Sequence, residues 1–204
     1  EIYNSLVWAT PIEFSAETMP VNGLLENAGR FVSLPVPDNR ERNNLVLKVY
    51  QELLLARAHD KNSPAYLIDD LNRLNFVYEN VAGANDSLYV KSLVRLIREY
   101  GNDPYSTEAV VSLLSYYQWR PLERMAGGYE GLKNAVETGR AYMARFPEYV
   151  RIGCLKNIVD RLTRPSFTVT RSEELIYPEE PGEVTVQYKN VVSLTLEIER
   201  LEIP

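Results

Sequence analysis

The stretch Ser63–Gly101, SPAYLIDDLNRLNFVYENVAGANDSLYVKSLVRLIREYG, decides the fold of this chain. Its apolar residues recur three or four positions apart, which is the spacing of one face of an α-helix. The Ser-Pro pair at its start is a helix start signal, and Asp86 or Ser87 opens a second helix after a glycine-containing break. The closing glycine stands where a glycine often caps a helix C-terminus. The stretch therefore predicts two antiparallel amphipathic helices joined by a short turn.

The same periodicity continues on both sides of this stretch. It predicts further helices over about 44–58, 104–117, 129–146 and 149–163, and a short helix over about 11–17. Each has one apolar stripe, so neighbouring helices must cover one another. The predicted stripes, in chain order, are Val46, Val49, Tyr50, Leu53 and Leu54; Leu67, Leu71, Leu74, Tyr78 and Val81; Tyr89, Leu93, Leu96, Ile97 and Tyr100; Val110, Leu113, Leu114 and Tyr117; Leu132, Val136, Gly139, Met143 and Phe146; Leu155, Ile158, Val159 and Leu162.

The periodicity changes from helical to alternating after Pro165. Short runs of alternating apolar and polar residues, such as Val184–Tyr188 and Leu194–Ile198, predict half-buried strands. The residues between those two runs predict a short hairpin, Asn190–Ser193. The predicted fold is therefore mainly α, an antiparallel helical-hairpin array with a tetratricopeptide-like layout and a short C-terminal β segment. We expect three parts: an irregular lead-in with a short helix over 1–43, the helical array over 44–164, and strands that begin a β domain over 165–204.

Composition restricts the classes of function. The chain has 204 residues and a formal net charge of -6, which argues against a nucleic-acid surface. No apolar run approaches the roughly 20 residues that a membrane-spanning helix needs. With one cysteine and one histidine, a zinc site with nitrogen and sulfur ligands is not expected. We predict no catalytic, metal-binding or cofactor-binding residues, and no cofactor.

Several individual residues nevertheless invite a functional interpretation. His59 follows a predicted helix and is interpreted as a cation at a helix end. Asp69 and Asp70 point about 100° apart on a helix, so we interpret them as a solvated surface rather than an acid pair. Cys154 lies beside an apolar stripe and is interpreted as a packed cysteine.

Tyr116 and Trp119 precede a glycine-containing loop. They are the candidates for an exposed aromatic platform that could bind a partner, because aromatic rings supply large and rigid contact surfaces. The alternative is that both are ordinary packing residues.

The junction with the β segment carries a family resemblance. Leu175–Gly182, LIYPEEPG, is followed by VTVQYKNV and then by Leu194–Arg200, LTLEIER. A proline-rich turn that leads into strands of this kind resembles the opening of a macroglobulin-type β domain in bacterial alpha-2-macroglobulin-like proteins. The helical stretch Leu67–Tyr100 is similar to the helical N-terminal segment of a very large subgroup of those proteins.

The resemblance implies a non-enzymatic structural or interaction module of a large exported protein, in the periplasm or associated with the outer membrane. In that family such proteins trap proteases through a bait region and, in some members, a thioester. Neither feature carries over, since the thioester needs glutamine three residues after its cysteine and Asn157 stands there after Cys154. The implied partners are proteins or neighbouring domains of the same chain. The alternative function is a ligand- or glycan-binding helical module of the outer membrane.

Overall fold

The computed structural model of the chain describes residues 21–37, 41–171, 184–195 and 197. The described part is mainly helical with one two-stranded antiparallel sheet, which confirms the predicted fold class. The helix predicted over 11–17 lies outside the described residues. The elements are α1 (Val21–Leu24), α2 (Ala28–Phe31), α3 (Arg42–Ala56), α4 (Pro64–Asn80), α5 (Asp86–Glu99), α6 (Thr107–Gln118), α7 (Gly128–Arg145), α8 (Ile152–Thr163), β1 (Ser166–Arg171) and β2 (Val184–Lys189), with 3-10 turns at Pro104–Ser106 and Leu122–Arg124.

Side-chain caps fix the first residues of α4 and α5. Ser63 accepts a hydrogen bond from the Tyr66 N–H, and Pro64 occupies the first turn of α4, as the sequence predicts. Asn85, which the sequence prediction missed, accepts a hydrogen bond from the Leu88 N–H in the same way. In both α4 and α5, a polar residue directly before the helix therefore sets where the helix begins.

The C-terminal end of α5 differs from the prediction. The helix ends at Glu99, and the cap residue is Tyr100, whose N–H donates to the Leu96 carbonyl. Gly101 is not among the described glycines with a left-handed backbone, so the predicted glycine cap is wrong. The Tyr100 hydroxyl donates to the Lys61 carbonyl at 2.6 Å, and this tertiary bond helps to fix the chain where the helix ends.

Consecutive helices from α3 to α7 pack on one another, and α4 also contacts α6. The short connections make each consecutive pair antiparallel. The predicted stripe leucines of α4 and α5, and the whole predicted stripe of α6, are buried. The stripes of α3 and α7 are turned relative to the prediction: Leu47, Ala135 and Tyr142 are buried, whereas Val49 is exposed and Leu132, Met143 and Phe146 are only half-buried.

Residues 21–37 form a docked segment on the helical array. Its two short helices bury Leu24, Leu25 and Phe31, which are each at most 1% exposed. The described part of the irregular lead-in therefore packs on the helices. The segment contributes three large side chains to the core although it has little regular structure.

Side chains of three different helices donate hydrogen bonds to main-chain carbonyls of the docked segment. Arg73 of α4 donates to the carbonyls of residues 24 and 26, the second at 2.9 Å. Ser92 of α5 donates to the carbonyl of residue 25, and Gln51 of α3 donates to those of residues 31 and 34 at 3.0 and 2.9 Å. The carbonyls that short helices leave without partners are therefore satisfied by the array.

Contacts within the chain divide it into two units, residues 1–159 and residues 160–204. In the second unit β1 pairs antiparallel with β2, with Phe167 opposite Tyr188. Alternation then places the apolar residues Phe167, Val169, Val184, Val186 and Tyr188 on one face and polar residues on the other.

The predicted hairpin of the last two strands is wrong for its described residues. β2 pairs with β1 instead, and residues 191–195 are outside any strand. Asn190 has a left-handed φ of 54°, and its side-chain amide donates to the Leu162 carbonyl at 2.8 Å. The Lys189 ammonium donates to the Arg161 carbonyl at 3.0 Å. The last residue of β2 and the residue that follows it therefore bind carbonyls at the C-terminal end of α8.

Candidate functional site

A groove of about 430 Å³ runs between α4 and α6 and is called the α4–α6 groove below. Its lining residues recur three or four positions apart on each helix, so they form one continuous face of α4 and one of α6. Helix α5 contributes a single residue between them, and the turn after α6 contributes two. The lining residues are Asn75, Tyr78, Glu79, Tyr89, Val111, Ser112, Ser115, Tyr116, Trp119 and Arg120.

Three tyrosine rings form an aromatic cluster at this groove. The rings of Tyr78 and Tyr89 are parallel, with centroids 3.9 Å apart. The ring of Tyr116 meets both of them edge-on, at centroid distances of 6.0 and 6.1 Å. Stacked and edge-to-face pairs of this kind add to the stability that burial of the rings provides.

The hydroxyl groups of these tyrosines are all engaged in hydrogen bonds. Tyr78 donates to one oxygen of Asp86 at 2.9 Å, and Tyr116 donates to the other at 3.2 Å. Tyr89 donates to the Asn75 amide oxygen at 2.8 Å, and the Asn75 amide nitrogen donates to Ser112 at 3.2 Å. The network ties α4, α5 and α6 together and holds the wall of the groove in one arrangement.

Arg120 lines the groove and contacts Tyr78. Its Nε and Nη2 donate to the Tyr78 hydroxyl, and its guanidinium lies 5.4 Å from the centre of the Tyr78 ring. Its Nη2 is also 3.6 Å from a carboxylate oxygen of Asp86. Nη1 takes part in none of these bonds, and the side chain is 38% exposed. Arg120 therefore keeps hydrogen-bond donors on Nη1 that these contacts do not use.

The two residues predicted as an aromatic platform have different environments. Trp119 is 77% exposed, whereas Tyr116 is only 5% exposed. The expectation of exposure is wrong for Tyr116, because its hydroxyl accepts from the Ala126 N–H at 2.8 Å as well as donating to Asp86. Of the two residues, only Trp119 is exposed. Sequence reasoning missed Asn75, Tyr78 and Arg120, because the groove combines residues from three separate elements.

The interpretation of Asp69 and Asp70 as a solvated surface is wrong for Asp70. Asp70 is 1% exposed, and its two oxygens accept from Arg73 at 3.0 Å and from Arg95 at 3.1 Å. Arg73 is itself fully buried; burial lowers its pKa, and the neighbouring Asp70 carboxylate opposes that shift. Asp69 instead forms a partly exposed ion pair with Arg57 at 2.7 Å. The buried charges hold the docked segment in place and do not line the groove.

A second depression, of about 410 Å³, lies between α5 and the docked segment. Three basic residues of α5 line it, Lys91, Arg95 and Arg98, together with Glu26 of the docked segment. Arg95 already pairs with Asp70 and with Glu99 at 2.9 Å. The charge of Arg95 is therefore already compensated, and the depression offers less free positive charge than its three basic residues suggest.

Cys154 is exposed on α8, so the prediction of a packed cysteine is wrong. Its neighbour Leu155 is fully buried, and successive helix positions point about 100° apart. His59 is also exposed and follows the end of α3, at the predicted place.

We expect the native Cys154 thiol to react with a water-soluble disulfide reagent at a rate within about tenfold of the rate in the urea-unfolded chain, since access controls thiol reactivity. The measurement is the absorbance change on mixing, with Cys154→Ser as the unreactive control. A native rate several orders of magnitude slower would mean that the thiol is packed after all.

Among the described residues, burial is the largest cause of a raised pKa at seven tyrosines, and the pKa rises to about 12 for Tyr78 and Tyr100. The unfolded chain releases these protons near pH 10, and the folded chain holds them longer. Their contribution to stability is therefore complete below about pH 10 and is lost as the pH rises toward 12. We expect the free energy of unfolding in urea to fall steeply over that range, with a shallower fall in Tyr100→Phe. A single tyrosine titration near pH 10, followed by absorbance at 295 nm, would contradict this.

Among the described residues, no three or more His, Cys, Asp or Glu side chains are grouped so that they could hold a metal ion. None of the described helices combines the length and the apolar character that crossing a membrane requires. Chemically, the α4–α6 groove offers aromatic surface and hydrogen-bond donors, which are the elements of a binding surface. No family model, curated protein or solved structure matches this chain.

Proposed function

We propose that this chain is a non-enzymatic interaction module whose α4–α6 groove binds an extended peptide segment of a protein partner or of a neighbouring domain. The observation that carries the proposal is the groove itself, with Trp119 77% exposed at its margin. Stacked helical hairpins present concave surfaces of this kind, and extended peptides are typical ligands of such surfaces.

The rigidity of the groove also supports binding. The hydroxyls of Tyr78, Tyr89 and Tyr116 are all held by hydrogen bonds to neighbouring helices. A wall that is already ordered loses little conformational entropy when a ligand binds. Exposed tryptophan and arginine side chains are the residue types that most often dominate the energy of protein interfaces.

The wider setting that we propose follows from the sequence resemblance. The run Val184–Val191 and the proline-rich residues before it resemble the opening of a macroglobulin-type β domain. On that basis we propose that the module belongs to a large exported alpha-2-macroglobulin-like protein of the bacterial envelope, with a link to protease trapping. Its partner is then a target protein or another domain of the same polypeptide.

A glycan ligand is the second candidate, and one specific observation favours it. The exposed Trp119 lines the same groove as the planar polar side chains of Asn75 and Arg120. A flat aromatic ring next to planar hydrogen-bonding groups can stack on a sugar and hold its hydroxyls. The experiment below separates the two candidates.

The test is selection of a random-peptide phage library on the immobilised chain. Peptides enriched on the wild type should also bind Tyr129→Ala, which removes an aromatic residue that is 65% exposed and outside the groove. The same peptides should lose binding to Trp119→Ala. Equal enrichment on the wild type and Trp119→Ala would refute the groove as a peptide site. Binding of a soluble oligosaccharide that is lost in Trp119→Ala, with no enriched peptide that depends on Trp119, would favour the glycan candidate.

A further inference from the structure

The docked segment is attached to the array in the way that a bound peptide is attached to a protein. The main-chain N–H groups of residues 25–26 and 30–34 donate to carbonyls within the segment itself. The array contributes side-chain hydrogen bonds from Gln51, Arg73 and Ser92 and the pockets that bury the apolar side chains of the segment. The part of α3, α4 and α5 around these three residues is called the docking surface below.

The docking surface recognises main-chain carbonyls of the segment. The carbonyls of residues 24, 25, 26, 31 and 34 accept hydrogen bonds from the three array side chains. The Arg73 Nε donates to Asp70 at 3.0 Å, so a second residue of α4 holds the guanidinium in place. A donor that is positioned by its own helix loses little conformational entropy when a peptide binds.

Four buried side chains give the segment its sequence requirement. Leu24, Ala28 and Phe31 stand at positions i, i+4 and i+7, Leu25 is the fourth, and each is at most 4% exposed. The centre of the Phe31 ring lies 4.7 Å from the Cζ atom of Arg73, which is a cation–π contact. Helical surfaces commonly recognise peptides through anchors at this spacing.

We propose that the docking surface is a second peptide-binding site, which residues 21–37 of this chain occupy and which a segment of a protein partner enters by displacing them. The partner segment carries two adjacent leucines, a small residue three positions after the second leucine, and an aromatic residue three positions further on. The docked segment is then an autoinhibitory ligand. This inference is independent of the α4–α6 groove, because Gln51, Arg73 and Ser92 do not line that groove.

Covalent attachment gives the docked segment an advantage over a partner segment. Residues 38–41 link it directly to α3, and a short link holds an attached ligand at an effective concentration on the order of millimolar. A free peptide of the same sequence therefore binds weakly to the intact chain and more tightly once the link is cut. That difference in affinity is the measurable property of an autoinhibited site.

The test uses the full chain with residues 38–40 replaced by the recognition sequence of a specific protease, so that both pieces are present after cleavage. The probe is a fluorescein-labelled peptide with the sequence of residues 21–37, and fluorescence anisotropy reports its binding. We expect saturable binding to the cleaved chain that is about tenfold or more tighter than binding to the uncleaved chain. The helical circular-dichroism signal should be the same before and after cleavage.

Matched variants test the recognition pattern. Phe31→Asp in the probe should abolish binding, whereas Glu26→Gln should not change it, because the carbonyl that accepts from Arg73 is kept. In the array, Ser92→Ala removes the donor to the carbonyl of residue 25 and should weaken binding about fivefold. Trp119→Ala should leave binding of the probe unchanged.

Loss of the helical signal on cleavage would overturn the inference, since residues 21–37 would then be an integral part of the core. Equal affinity of the probe for the cleaved and uncleaved chains, or equal binding of the wild-type and Phe31→Asp probes, would also overturn it. Binding of the probe that is lost in Trp119→Ala would place the peptide in the α4–α6 groove and refute the docking surface as its site. If the phage selection yields Trp119-dependent peptides while the probe does not bind the cleaved chain, the proposed function stands and only this inference fails.

Discussion

Leu71→Asp is expected to unfold the helical array. Leu71 is 3% exposed on the buried face of α4, where a carboxylate would lose its hydration without gaining a new partner. Such a buried charge costs more than about 4 kcal/mol, which is comparable to the whole stability of a domain of this size. The circular-dichroism signal of the variant at 25 °C should be that of a largely unfolded chain.

The matched control is Val94→Asp, which places the same charge in the middle of α5 at a side chain that is 49% exposed. A substitution on the surface should change the free energy of unfolding by about 0.5 kcal/mol or less. If Leu71→Asp melts within a few degrees of the wild type, the assignment of the buried stripe of α4 cannot be maintained.

Asp70→Asn is expected to lower the free energy of unfolding by about 3–5 kcal/mol, because it removes the carboxylate that neutralises a buried arginine. Arg73 is fully buried and Asp70 is 1% exposed, so water cannot replace the lost partner. The docked segment should loosen as well, since Arg73 also donates to its carbonyls. Urea unfolding measures the first effect, and limited proteolysis within residues 21–37 measures the second.

The neighbouring acid provides a control of the same chemistry. Asp69 pairs with Arg57, whose side chain is 42% exposed, and burial raises the pKa of Asp69 despite that partner. The charged form of Asp69 is therefore held weakly, and Asp69→Asn should change stability by only about 0–1 kcal/mol. If Asp69→Asn and Asp70→Asn lowered the free energy of unfolding equally, the buried ion pair of Asp70 with Arg73 would add no stability beyond that of a partly exposed pair.

The helices could be predicted from sequence because their signals are local. The Ser63-Pro64 start and the leucines of α4 recur at fixed spacing within a few residues of one another. The stripes of α3 and α7 turned out rotated, because an apolar residue such as Val49 satisfies the spacing whether or not a neighbour covers it. Only the packed neighbours decide which side of a wide stripe is buried.

The candidate site was harder to predict, because its residues meet only after folding. Trp119 could be singled out as an aromatic residue near a glycine-containing loop, and it is exposed. Tyr116 has the same sequence context, yet Asp86 of another helix accepts its hydrogen bond and it is buried. The burial of Asp70 could not be predicted for the same reason, since one of its partners, Arg95, lies on a different helix. A single sequence does not indicate which distant residues will contact one another.

The mode of attachment of the docked segment has a consequence for how its sequence can change. Arg73, Ser92 and Gln51 bind carbonyl oxygens, which every amino acid possesses. Outside the buried positions 23, 24, 25, 28 and 31, most replacements within the segment leave those bonds intact. In an alignment of relatives such a segment would resemble a variable linker, and conserved small or apolar residues at those five positions would show that it packs in the core. Conservation would then appear on the array, at the arginine, and not on the segment that it holds.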